Sequence, residues 1–548
     1  MIIIIPTASF AADVYVKIGG TRTSGKSTTG DWSNANCYPD IVTHGFPAMS
    51  AGDTMTIDDG TYTGTANHAK QDTATPPNGT SKANMTVIRA RNIPCQDGYS
   101  CSSALKVTWG ESTDNGDYST SGLGMNGPVN SGAKSYIKFY GLRMYNASLY
   151  TDWSYIYFKQ CALIGSMTGN TMSFSTDSPY LLMEDSVVMG SGRYQTMSHL
   201  GEEGYLHNVF RRVVARKDYS NGSNQATMPM GIFTSYYTLD DAYLNCIAID
   251  SDQPAYYANE SIEYGGSFFH GMGATGLTIK GSISINVAMN AITLGTHSGT
   301  NTITDFSAVN NAGGLAVSHG SANRATVYNV GTDLFSGWKT GQIATFSGSE
   351  NDAFATVGGA FSVTNSIART AQGYAGNGDV GTLTGSYWDY YGTGGNSNVT
   401  PSDSITTDPL THGLLYPVRI ETGSSLATAG SGGSQIGANI LKRIGHDGDF
   451  NGDTGWNTET TTDLWPWPYE DWVKAELAAM PSTLGGLSMP SPTRGVAAAG
   501  NDAYGQPITL TRYIWQSLGN QIPADIYGST AVVSKLQGGG KLTGGTIR

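Results

Sequence analysis

One short pattern recurs along this chain and restricts what it can fold into. From about residue 135 an apolar residue, any residue, a polar or turn-tolerant residue and then small or apolar residues follow one another. The pattern reads FYGLRM, FKQCAL, MEDSVV, FRRVVA, LNCIAI, IKGSIS, ITDFSA, VYNVGT, VTNSIA and LTGSYW. Its leading residues are Phe139, Phe158, Met183, Phe210, Leu244, Ile279, Ile303, Val327, Val363 and Leu383, spaced by 19, 25, 27, 34, 35, 24, 24, 36 and 20. Periods in this range mark repeat architectures.

The units hold strands and turns but no helix-length apolar stripe, which excludes tetratricopeptide, ankyrin and HEAT arrays. The leucine-rich consensus is missing, and propeller blades are longer. A parallel β-helix remains, in which each coil lays its strands on those of the coil before. Uneven spacing fits, because one turn per coil lengthens without disturbing the stack. Composition agrees. Glycine is 72 of 548 residues, about twice the usual ~7%, and charged residues are 13%, about half the usual ~25%. Aromatic residues at 10% and apolar residues at 39% are enough for a core.

Upstream, AMSAGDTMTIDDGTYTG alternates Met55 and Ile57 with Thr54 and Thr56, turns at Asp58-Asp59-Gly60 and resumes at Thr61–Thr63. Alone it reads as a hairpin; the recurrence makes it an early rung. NMTVIRAR and ALKVTWG join it in the first coils and an N-terminal cap. After about residue 400 the pattern changes. LWPWPYEDWVKAELAAM predicts a helix from about Tyr469 to Met480. PITLTRYIWQSLGNQIP predicts a second, with Leu510, Tyr513, Ile514 and Leu518 on one face and a stop near Gly519. This region is expected to cap or laterally cover the last coils, because open β edges must be blocked. The expected division is a truncated signal peptide over 1–11, cap and first coils over 12–134, coils over 135–400, and last coils, C-terminal cap and lateral helices over 401–548.

The net charge of −13 argues against a nucleic-acid partner, which needs a basic face. Ser9 and Ala11 fit a signal-peptidase site, so secretion or cell-surface display is expected. No apolar run is long enough for a membrane span. Five cysteines are present, of which Cys95 and Cys101 flank a short loop and are close enough in sequence to pair.

AGDTMTIDDGTYTG resembles the opening rung of pectin-lyase-like right-handed parallel β-helix proteins. NVFRRVVARKDYSNG, YLNCIAIDSDQ and LWPWPYEDWV with LTRYIWQSLGNQIPADIYG are similar to secreted right-handed β-helix repeat proteins of uncharacterised activity. The resemblance spans roughly Asp13 to Gly528. It implies an all-β, right-handed single-stranded parallel β-helix with an N-terminal cap and a C-terminal cap containing short helices. Such folds include polysaccharide lyases, hydrolases and phage tailspikes, so the fold does not decide the chemistry.

Uronate cleavage needs a neutralised substrate carboxylate, a base and an acid. HLGEEGYLHNVFRRVVARKDY concentrates Glu202, Glu203, His207, Arg211, Arg212, Arg216, Lys217 and Tyr219. If Phe210 and Val213 point inward, Arg211 or Arg212 points outward. The segment reads as candidate catalytic groups or as cross-coil ion pairs. Asp240-Asp241 and Asp250-Ser251-Asp252 are the carboxylates of a hydrolase reading, or turn residues. Asp447, Asp449 and Asn451 take positions 1, 3 and 5 of a calcium-type loop, with Gly452 at position 6 and Asp453 completing the candidate set. Position 12 is Thr458, so a Gly/Asp turn is the competing reading. Calcium is the one cofactor the sequence raises. Tyr219, Tyr256, Tyr257 and Tyr264 lie in tyrosine-rich stretches suited to stack on sugar rings.

Three functions stand together at this level. One is binding, with or without cleavage, of an acidic extracellular polysaccharide. Another is a non-catalytic scaffold that self-associates into surface or filament structures. The third is a tailspike-like protein, which a secretion signal disfavours.

Overall fold

The computed structural model describes residues 13–67, 75–93, 104–111, 134–145, 148–149, 153–165, 174–176, 179–190, 195–200, 206–218, 231–236, 238–251, 266–270, 276–287, 290–295, 300–311, 313–330, 352–356, 358–370, 374–378, 381–392, 394–484 and 487–527. The chain is a right-handed parallel β-helix whose coils lay strands on three faces.

The first face carries one unbroken inward row. Val14, Met55, Ile88, Phe139, Phe158, Met183, Phe210, Tyr243, Ile279, Ile303, Ala322 and Val363 succeed one another in parallel register. The stretch Thr54–Ile57 is therefore a rung, with Met55 two coils before Phe139. Gly60–Tyr62 pairs with Val107–Trp109 instead of folding back as a hairpin. The second face repeats this with Tyr62, Trp109, Met144, Leu163, Val188, Ala215, Ala248, Ser284, Ala308, Val327 and Ala368. The third stacks Phe233, Phe268, Ile292, Leu315 and Phe354. Inside, Phe139 lies on Phe158 at 5.0 Å and Phe233 on Phe268 at 4.9 Å, both near parallel.

Three leading residues of the pattern stand elsewhere than in the first row. Tyr243, not Leu244, continues it; Leu244 faces outward into a cluster with Ile444 and Phe450. Val327 belongs to the second face, and Leu383 pairs with Phe361. Where both faces of a strand are buried, apolar residues alternate with apolar residues and hydrophobicity no longer reports direction.

The polar third position of the pattern is a left-handed turn between the first and second faces. Gln160, Asp185, Arg212, Asn245, Asp305, Arg324 and Asn365 have φ between 46° and 55° there. Asn and Asp tolerate this conformation better than other non-glycine residues.

The C-terminal segment reaches much further than the last coils. Leaving the final coil at Ile405, it travels back along the turns. The Ser431 amide donates to Asn365 (2.8 Å), that of Asn439 to Asp305 (3.0 Å) and that of Ile444 to Asn245 (2.8 Å). The segment reaches the first coils, where Lys82 pairs with Asp453 and Arg143 with Glu476 (2.9 Å). The helices Glu470–Ala478 and Leu510–Trp515 then lie over the second face. Trp465, Trp467, Trp472, Ile514 and Trp515 cover the outward residues Val187, Val214, Ile247 and Ile283 there. A 3-10 turn Gln516–Leu518 extends the second helix to Gly519, whose φ of 85° ends it. Among the described residues no helix is long and apolar enough to cross a membrane.

Candidate functional site

The basic segment folds outward from the solenoid but not into solvent. Phe210, Val213 and Ala215 enter the core, so Arg211 and Arg216 leave it on the opposite side. The C-terminal cover seals both. Arg211 pairs with Glu184 and donates to the carbonyls of His446 (2.7 Å) and Trp456 (2.8 Å). Arg212 grips Asp185 (2.6 Å) and Asp447 (2.5 Å). Arg216 faces Asp218 (2.9 Å) and donates to the carbonyl of Leu477 (2.9 Å). All three arginines are at most 1% exposed. Burial by itself raises the Asp185 carboxyl, but Arg212 and Lys159 outweigh it and hold it well below the usual range. This is the cross-coil ion-pair reading of the segment.

Lys217 follows the inward alternation of Ala215, and burial pushes its amine down to about 7. His207 stacks on Tyr180 at 5.2 Å and lies 3.6 Å from Asp240. Glu202, Glu203, Tyr219, Tyr256, Tyr257 and Tyr264 lie outside the described residues, as do Cys95 and Cys101. Of the hydrolase candidates, Asp241 accepts from Ser235 (3.0 Å) and the Asn208 amide. Asp250 accepts from Tyr513 (2.6 Å) and the Val496 amide (2.7 Å). Both carboxylates join structural elements to one another.

The calcium-type loop does not gather its ligands. Asp447 faces Lys159 (2.8 Å) and Arg212, and the Asn451 amide donates to the Asp240 carbonyl (2.8 Å). Asp449 lies 3.4 Å from His446, and Asp453 caps the Phe450 amide (2.9 Å) and pairs with Lys82. Asp447 and Asp453 already face basic side chains, Asp449 lies beside His446, and the Asn451 side chain is used by the Asp240 carbonyl. Among the described residues no three His, Cys, Asp or Glu side chains stand together as ligands. The loop is a Gly/Asp turn that docks the cover, and the residues do not fit a calcium ion.

A different cluster occupies the early coils of the first face. With Ile88 and Phe139 inward, pleating turns Arg89, Lys138 and Tyr140 outward. The next strand adds Tyr157 and Lys159 in register with Lys138 and Tyr140. Lys138 Nζ stands 4.5 Å from the Tyr157 ring centre and 5.3 Å from that of Tyr140; the Arg89 guanidinium lies 5.9 Å from Tyr140. These are cation–π distances. Lys159 is committed to Asp185 and Asp447. Arg89 and Lys138 meet no carboxylate at ion-pair distance among the described residues. Burial, and after it the charge of Lys159, lowers the Lys138 amine. Tyr469 of the cover borders the cluster, its hydroxyl raised by burial and then by Asp185.

At the entry of the same strands, Tyr136, Tyr155 and Tyr180 stack at 5.0 and 4.8 Å. All three have φ between 54° and 58°, a left-handed conformation that bulky residues rarely adopt. Such outliers persist only where their surroundings enforce them. Sequence inspection sought outward tyrosines later in the chain and missed these. The alternation in MTVIRAR and SYIKFYG carried the signal, once Ile88 and Phe139 were known to share a row.

No family model matches the chain, and no curated protein matches it. Solved structures do. The pectate lyase Pel9A matches at 14% identity and a TM-score of 0.42, covering 78% of this chain and 95% of that one. A mannuronic acid specific polysaccharide family 6 lyase from human gut microbiota matches at 9% identity and 0.36, covering 66% and 83%. The catalytic unit of an α-1,3-glucanase from Streptomyces thermodiastaticus matches at 12% and 0.37, covering 73% and 69%.

Proposed function

We propose that this chain is a secreted protein that binds an acidic polysaccharide across the early coils of its first face. One observation carries the reading. Among the described residues Arg89 and Lys138 meet no carboxylate at ion-pair distance, and they stand among tyrosine rings on a protein whose net charge is −13. Cations grouped on one face suit a polyanion. Tyr140, half-buried beside Lys138, supplies a ring edge and hydroxyl for sugar contacts.

Calorimetry against polygalacturonate, alginate and a neutral glucan tests this. Binding to an acidic polymer, weakened by salt, is expected. Equal binding to the neutral glucan, or none to either polyanion, overturns it. Absorbance near 235 nm in the same mixtures reports whether eliminative cleavage accompanies binding. Absence of binding together with large assemblies in solution supports the scaffold reading instead.

A further inference from the structure

A second constellation stands where the chain leaves the last coil. The final strand of that coil, Thr382–Tyr391, turns Trp388 into the core and therefore Asp389 outward. Ile405 bridges Asp389, and the chain then closes a 3-10 turn over Pro409–His412. The turn brings His412 onto the strand. Its Nδ1 lies 2.8 Å from Asp389 Oδ2, and its Nε2 lies 2.8 Å from the Thr407 hydroxyl. A hydroxyl, an imidazole and a carboxylate thus stand in one hydrogen-bonded line. Exposure rises along it: the Asp389 side chain is fully buried, that of His412 is 20% exposed, and Thr407 is exposed.

The turn closes without this line. Asp408 caps it, accepting from the Leu410 amide at its side chain (3.1 Å) and from the Thr411 amide at its carbonyl (2.8 Å). Arg369 holds the Asp408 carboxylate (3.2 Å), and Ser424 donates to the His412 carbonyl (2.6 Å). The backbone beside Thr407 and at His412 is therefore fixed by other groups. Burial raises the Asp389 carboxyl to about 6 against the pull of His412, so it is largely ionised at neutral pH. An ionised Asp389 keeps the imidazole proton on Nδ1 and leaves the Nε2 lone pair aimed at Thr407. Asp389 Oδ1 has no hydrogen-bond partner among the described residues, so His412 is the side chain that holds this charge.

A hydroxyl that faces a base, itself oriented by a buried carboxylate, is the arrangement that activates a nucleophile. We propose that Thr407, His412 and Asp389 form an acyl-transfer site that hydrolyses esters of short acyl groups. Thr407 Oγ1 attacks the acyl carbon, its proton passes to His412 Nε2, and the carbonyl electron pair moves onto oxygen. The amide of Asp408, the residue after the nucleophile, donates to no acceptor among the described residues and is available to that oxyanion. The ester C–O bond then breaks, and the departing alcohol oxygen takes the proton from Nε2. Water attacks the acyl-threonine and gives a proton to Nε2, and the threonine oxygen takes it back as the acid leaves. Apolar surface for the acyl group is close in the chain. Of the five exposed large hydrophobic side chains among the described residues, Tyr391 follows Asp389 by two positions, Leu410 follows Thr407 by three and Leu415 follows His412 by three. Thr407 lies at the surface, so the alcohol part of the ester is not restricted in size.

Incubating the full chain with p-nitrophenyl acetate tests the site. Release of nitrophenol above the buffer rate is expected, and peptide mapping of a rapidly quenched sample should find an acetyl group on Thr407. Thr407→Val keeps the shape of the side chain and removes the hydroxyl. It should lower the rate above buffer by about a hundredfold or more and remove the label, with melting unchanged because the residue is exposed. Thr407→Ser, which keeps the hydroxyl, should retain both rate and label. His412→Gln should lower the rate by a similar factor by removing the base. Hydrolysis no faster than in buffer overturns the proposal. So does a rate that Thr407→Val leaves unchanged while its melting matches the parent, or acetylation of other residues with Thr407 unlabelled.

Discussion

The guanidinium of Arg212 grips the carboxylate of Asp185, the residue at the same turn position one coil earlier, with Nε 2.6 Å from Oδ1. Arg212 has φ 53°, which its side chain does not favour, so the pair holds the turn in place. Both side chains are at most 2% exposed. Asp185→Ala would leave Arg212 buried beside only Glu184 and the partly exposed Asp447, and is expected to destabilise these coils by about 3–5 kcal/mol. Adding Arg212→Gly removes that charge and relaxes the turn, and should recover part of the loss. Hydrogen exchange of the segments 182–190 and 209–217 reads both effects. The folded Asp185 carboxyl is held below its unfolded value of ~3.9, so its contribution is full at neutral pH and fades as pH falls below about 4.

Lys217 works in the opposite direction. Its folded amine lies at about 7, against ~10.4 when unfolded. Between those values the unfolded chain holds the extra proton, so stability should rise with pH from about 7 to about 10. Below about 7 the cost of burying the charge is fully present. Unfolding by urea across this range should show the slope, and Lys217→Met should flatten it.

Glu476 fastens the cover to the first coils. It accepts from Arg143 Nε (3.1 Å) and from the Leu105 amide, over more than 330 residues of sequence. Glu476→Ala strips both partners. Faster hydrogen exchange is expected in Val107–Trp109, Arg143–Tyr145 and the helix Glu470–Ala478, with later coils protected as before. Unchanged exchange in that helix would show that its tryptophans hold it without the ion pair.

Replacing Arg89 and Lys138 together by alanine should reduce affinity for an acidic polysaccharide by about tenfold or more at low salt, with a shallower salt dependence. Among the described residues neither side chain is in an ion pair, so melting should shift little. Calorimetry at two ionic strengths checks this.

Burial pushes the Cys161 and Cys246 thiols up to about 12. Thiolate is the reactive form. Iodoacetamide followed by peptide mapping should leave both unlabelled in the native protein and label both after denaturation.

The sequence by itself determined the solenoid, its turns and the helices of its C-terminal region. Inward rows follow from pleating and from apolar side chains recurring once per coil, and Asp185, Asn245, Asp305 and Asn365 suit left-handed turns by their own chemistry. These are local preferences, readable from neighbours along the chain. Tertiary structure decided which outward residues meet solvent. Arg211 and Lys138 look alike in sequence, as outward cations beside an inward phenylalanine. Arg211 is sealed by carbonyls at His446 and Trp456, more than 230 residues away, while Lys138 stands over the Tyr157 ring with no carboxylate at ion-pair distance among the described residues. The difference is made by where a distant segment docks, which depends on shape and hydrogen-bond matching across the whole length of the solenoid and not on the residues adjacent to either cation.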